Sequence, residues 1–127
     1  MVAGEPSQEL RDAHDVMLAA FEAGCAACRP GALARDVNAA CRAPIEEAGL
    51  GRHFRHRMGH GIGTDVHERP FLSPEDETPL EAGMTFTDEP SIIVPQAFGL
   101  RIENVVVCAN EGARVLNDYP NALVCNS

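Results

Sequence analysis

Between residues 7 and 29, Leu10, Met17, Leu18, Phe21, Cys25 and Cys28 recur at three- and four-residue steps, the spacing of one helical face. His14 falls at the polar margin of that stripe. Ser7 is placed to cap the N-terminus, Glu9 suits the positive end of the dipole, and Pro30-Gly31 stops the helix. A second helix is predicted over 34–48, with Leu33, Val37, Cys41 and Ile45 inward and Gly49 at its end. Pro44 removes a backbone hydrogen bond there, a loss of ~3 kcal/mol, so a kink or an early end is expected near Ala43. After Gly51 the chain becomes Gly-, His- and Pro-punctuated. Residues 68–83 hold Pro70, Pro74, Pro79 and Gly83 among acidic residues and read as a surface loop. Strands are predicted at 84–89, 91–94 and 100–108, with Asn110-Glu111-Gly112 turning into a last one around 113–116. Helices first and strands afterwards predict an α+β fold, two helices packed on a mainly antiparallel sheet.

The 127 residues fit one domain, able to bury roughly two-thirds of its unfolded surface. A net charge of −9 argues against nucleic acid or an anionic membrane as partner, since phosphates are bound by clustered Lys and Arg. Locally the balance reverses, for Arg52, Arg55 and Arg57 crowd around the histidines. That patch reads either as a receptor for an anionic group of a substrate or as solvated surface arginines. No apolar run approaches the ~20 residues that span a bilayer, and the N-terminus lacks the features of a signal peptide. A cytoplasmic location is therefore expected. The odd number of cysteines, 5, fits free thiols in a reducing compartment.

The chemistry concentrates in the stretch from Arg55 to Glu68, where His56, His60 and His67 alternate with Gly59, Gly61 and Gly63. These glycines argue against a helix, and no His-Glu-x-x-His motif is present, so a zincin site is a poor reading. In an extended segment the same glycines let a backbone or ligand approach closely. Glu89 and Glu103 then stand in apolar, strand-like surroundings, where a carboxylate is costly to bury unless paired or metal-bound. One imidazole and two carboxylates suit a divalent cation. The plainer alternatives are a salt bridge, with Arg101 the obvious partner, or an exposed alternation on an edge strand. Cys25-Ala-Ala-Cys28 has redox-motif spacing but lies within a helix, where nothing lowers a thiol pKa, and reads as small buried residues. The glycines do not match a dinucleotide fingerprint, and no Gly-x-Ser-x-Gly elbow occurs.

These blocks resemble the pita-bread metallopeptidases, the family of Xaa-Pro dipeptidase, Xaa-Pro aminopeptidase, methionine aminopeptidase and creatinase. The resemblance rests on Phe54-x-His56-x-x-Gly59-His60-Gly61-Ile62-Gly63 and on Asp65-Val66-His67-Glu68-x-Pro70. It continues through Leu80-x-x-Gly83-Met84-x-Phe86-Thr87-x-Glu89-Pro90 and Gly99-x-Arg101-Ile102-Glu103, and the prolidase branch matches best. It implies that His60, Glu89 and Glu103 are metal ligands, with Glu103 bridging two metals and Glu89 assisting as base. It also implies that His56 and His67 bind substrate, shuttle a proton or stabilise an oxyanion. Arg101 would position Glu103 from behind. The implied reaction is hydrolysis of a peptide or small amide by a metal-activated water.

The family's site also uses two aspartates, on strands that would precede Met1, and Asp12 and Asp15 lie on a helix instead. The expectation is therefore the C-terminal portion of a catalytic domain over residues 1–127, holding at most one Mn, Co or Zn ion and weakly active or inactive alone. Asp88 stands where an apolar residue is expected, Ser91 for a glycine and Asn104 for an acid. A half-domain leaves sheet edges bare, which predicts a homodimer or another association through them. Two other readings stay open, a non-catalytic peptide- or protein-binding module and a creatinase-like amidinohydrolase.

Overall fold

The computed structural model describes residues 2–126. Helix α1 (Gln8–Ala27) begins where expected, and the Ser7 side chain accepts a hydrogen bond from the Leu10 amide at 3.2 Å. Its buried face is made of Ala13, His14, Met17, Ala20, Phe21 and Gly24, so small residues carry much of the close contact with α2 (Ala34–Glu47). His14 is a correction to the predicted polar margin: it is buried, and its Nε2 donates to the Asn121 carbonyl at 2.8 Å. The C-terminal segment covers it, a contact between residues too distant in sequence for periodicity to report. Pro44 does not end α2, which continues to Glu47 with the Ala48 amide bonded back to the Pro44 carbonyl.

Strands β1 (Val2–Ala3) and, at the other end of the chain, β9 (Cys125–Asn126) pair in parallel. A short 3₁₀ turn (Gly51–His53) leads from α2 to β2 (Gly59–Gly61). The segment expected to be loop contains a strand, β3 (Glu68–Leu72), antiparallel to β2 at the sheet edge. The register shifts between His60 and Gly61, so Arg69 and Pro70 fall in the irregularity. An edge position is where a proline, which has no amide to donate, is tolerated.

Next come β4 (Thr85–Asp88) and β5 (Ser91–Val94), as expected to within a residue or so. The single strand predicted over 100–108 is two, β6 (Phe98–Arg101) and β7 (Asn104–Ala109). The chain leaves its hairpin with β5 and joins β4 after Ile102-Glu103, where the Ile102 amide bonds to the Pro90 carbonyl. Strand β8 (Gly112–Val115) closes the five-stranded antiparallel sheet, in the order β3-β2-β4-β7-β8.

The helices and the sheet enclose Met17, Phe21, Val37, Cys41, Ile45, Met58, Leu72, Phe86 and Val106. Removing a ring such as that of Phe86, fully buried, costs about 3–5 kcal/mol in comparable cores. The α+β architecture with a mainly antiparallel sheet is therefore as expected. No helix among the described residues is long and apolar enough to cross a membrane.

Candidate active site

Close strand approach creates the site. A Cβ on Gly59 would lie 1.8 Å from the Thr87 carbonyl oxygen, and one on Gly61 would lie 2.4 Å from that of Arg69. Only glycine lets β2 sit this near its neighbours, which is the close approach read from the sequence. The result sets His60 of β2 beside Glu89, one residue past β4. Thr87, two residues before Glu89 and hence on the same face, ties them together. Its Oγ1 accepts from the His60 amide at 3.1 Å and donates to Glu89 Oε1 at 2.9 Å. No motif in the sequence singles out this threonine, although its alternation with Glu89 places it there.

The His60 ring is buried, and its Nδ1 lies 3.0 Å from the Gly61 carbonyl oxygen. A carbonyl can only accept, so Nδ1 carries the hydrogen and Nε2 turns toward Glu89 Oε1, 3.0 Å away. An imidazole lone pair and a carboxylate oxygen at that separation need a positive centre between them, a proton or a metal ion. His67 packs beside His60 with ring centroids 4.3 Å apart and the ring planes tilted by 50°. His56 and His67 are exposed and line, with His60 and Glu89, an open cleft of about 730 Å³.

Arg55, Arg57, Arg42 and Arg101 line the same cleft, so two of the three arginines crowding the histidines face it, while Arg52 donates to His53 instead. The Arg57 guanidinium lies over the Phe71 ring, 4.7 Å from its centroid. Arg101 Nη1 contacts Glu89 Oε2 at 2.9 Å and Glu103 Oε2 at 3.5 Å. The salt-bridge reading of these glutamates is therefore met in part, and the closer partner of Arg101 is Glu89.

Glu103 is half-exposed and lines a second recess of about 230 Å³, with His14, Tyr119 and Asn121. Among the described residues no three His, Cys, Asp or Glu side chains converge as a metal-binding group. The donors fit a divalent ion in kind, and a ligating histidine usually donates its other ring nitrogen to a carbonyl, as His60 does. In number they are a two-ligand share, His60 and Glu89, with Glu103 turned aside.

Asp88 projects to the opposite, helix-packed face of β4. It is fully buried; among the described residues its Oδ1 has no partner and its Oδ2 accepts only the Cys25 thiol at 3.5 Å. Burial, with the nearby Glu89 adding to it and the Cys25 hydrogen bond opposing it, pushes its carboxyl up to about 8. Burial likewise pushes the Cys28 thiol up to about 12 and holds Cys25 and Cys41 above the usual thiol range, in keeping with structural cysteines.

The sequence model of metallopeptidase family M24 matches residues 1–110. The chain is 40% identical over 121 residues to "Probable dipeptidase PepE" of Mycobacterium tuberculosis, covering 95% of this chain and 32% of that protein. It is 38% identical to the Xaa-Pro dipeptidase of Pyrococcus furiosus, covering 98% of this chain and 36% of that protein. Among solved structures, dipeptidase PepE from Mycobacterium ulcerans superposes with a TM-score of 0.93 at 41% identity, over 97% of this chain and 33% of that one. Xaa-Pro dipeptidase from Bacillus anthracis gives 0.94 at 37% identity, over 98% and 35% respectively. The chain thus spans about a third of the length of these relatives. It belongs to metallopeptidase family M24, and its two helices on an antiparallel sheet are a half of the pita-bread fold.

Proposed function

We propose that the chain carries part of the active site of a metal-dependent peptidase of the Xaa-Pro dipeptidase/aminopeptidase type. The observation that carries this reading is the pairing of His60 Nε2 with Glu89 Oε1 at 3.0 Å while Nδ1 is tied to a carbonyl. His60 and Glu89 would hold the ion, Mn, Co or Zn, with Glu103 joining once its side chain turns inward. Such an ion, when bound, polarises a carbonyl and lowers the pKa of water.

The remaining roles belong to the chain's own residues. Thr87 holds Glu89 in register with His60 through its hydroxyl. Glu89 is the site's base, with a carboxylate oxygen able to take a proton. His67 and His56, at the exposed wall of the cleft, can donate to a substrate carbonyl or receive a proton from the leaving group. The cleft takes a short peptide or a small amide. With a two-donor share converged, turnover by the 127-residue chain is expected to be weak.

The test measures proline release from an Xaa-Pro dipeptide with and without added Mn²⁺ or Co²⁺. Slow, metal-dependent release that is lost in Glu89→Gln supports the proposal. Release that ignores the metal or survives His60→Ala refutes it, and dipeptide binding without any cleavage favours a binding module instead.

A further inference from the structure

We infer that Arg101 is a built-in competitor for the metal, a cation that holds the site's carboxylates and must withdraw before a divalent ion can take them. The inference rests on the peptidase reading of His60 and Glu89. Three observations carry it.

One nitrogen, Nη1, serves both carboxylates, at 2.9 Å from Glu89 and 3.5 Å from Glu103. An arginine that orients a carboxylate typically does so with two parallel N–H bonds from its fork. A single nitrogen shared between two acids acts instead as a bridging positive charge, at the kind of position a metal would take. Secondly, Arg101 splits the donor set. Glu89 keeps Oε1 toward Thr87 and His60 while Oε2 goes to the guanidinium, and Glu103 lines the second recess instead of the cleft.

Thirdly, the guanidinium can leave. Its side chain is 46% exposed, it terminates β6 just before the chain crosses to β7, and it lines both recesses. The pair with Glu103 is open to water on both sides and weak, while Glu89 is the more buried partner. The competition therefore depends on salt and metal concentration.

Competition and positioning predict opposite signs. If Arg101 merely positioned Glu103, as the family resemblance implies, its loss would weaken metal binding. If it competes, its loss strengthens binding. The experiment is a Mn²⁺ titration of the 127-residue chain by calorimetry, comparing wild type, Arg101→Gln and Arg101→Lys. Competition predicts that Arg101→Gln tightens Mn²⁺ about five-fold, the effect of removing one exposed ion pair. Arg101→Lys, which keeps the charge and loses the fork, is expected to remain near wild type. Mn²⁺ binding by Arg101→Gln alone also supports the inference. Equal or weaker binding by Arg101→Gln, with wild type binding normally, overturns it and leaves the peptidase reading intact. Absence of binding in all three proteins overturns both.

Discussion

Asp88 is the residue whose replacement is expected to stabilise this protein most, and by an amount that depends on pH. Its carboxyl is fully buried between β4 and α1, with one oxygen unpartnered, and is pushed from 3.8 up to about 8. The folded state therefore keeps a proton that the unfolded chain releases. Its stability is undiminished below pH 3.8, falls between 3.8 and about 8, and has lost the whole difference above that. Each pH unit in the window is worth about 1.4 kcal/mol, so the penalty at pH 7 is about 4 kcal/mol. That is a large share of the about 5–15 kcal/mol by which such domains are stable.

Asp88→Asn keeps the shape and abolishes the titration, but buries an amide at a cost of about 1–2 kcal/mol. The expected net gain is about 2 kcal/mol at pH 7, shrinking to nothing or reversing near pH 4. Urea unfolding of both proteins by circular dichroism, at steps from pH 4 to 8, measures this directly. A stability difference that stays flat between pH 5 and 8 would refute the reasoning, because an ionisable buried group cannot be indifferent to that range.

Asp76 is expected to behave in the opposite sense. Burial raises its carboxyl, but bonds from Thr78 and Phe71 and the Arg69 guanidinium outweigh this and hold it below the ordinary range, so its contribution is present at neutral pH and lost in acid. Asp76→Ala should cost about 2–3 kcal/mol at pH 7, read as a shift in the urea midpoint that narrows toward pH 3. Gly59→Ala should prevent native folding, since its Cβ would lie 1.8 Å from a backbone carbonyl; a cooperative melt within a few degrees of wild type contradicts this. Among the thiols, exposed Cys125 is expected to react with a disulfide reagent at pH 8 and buried Cys28, Cys41 and Cys108 only after denaturation, counted by absorbance. Strand β8 is a sheet edge that exposes Val115 and, just beyond it, Leu116, so self-association by sedimentation should diminish in Val115→Lys.

What could be read along the chain is what depends on near neighbours. The start of α1 at Ser7, the start of α2, the hairpin strand at residues 91–94 and the membership of His60 and Glu89 in one site were legible, whereas the continuation of α2 through Pro44 was not. Capping, helical periodicity and β-branched runs act over a few residues. Strand β3 was hidden by Pro70, which an edge position tolerates, and β6 and β7 read as one because the break at Ile102-Glu103 has no turn residue. His14 and Asp88 were misplaced or unplaced because their surroundings come from the C-terminal segment and from α1.

By itself the sequence determined the two helices, most of the strands, the family and the chemical kinds of donor. Tertiary structure alone decided which donors meet. His60 reaches Glu89 because Gly59 lets β2 close on β4, whereas Glu103, past the end of β6, lines the second recess and meets the Arg101 guanidinium at 3.5 Å. Convergence of charges is set by strand register and by which cation lies nearest, and neither is a local property of the chain.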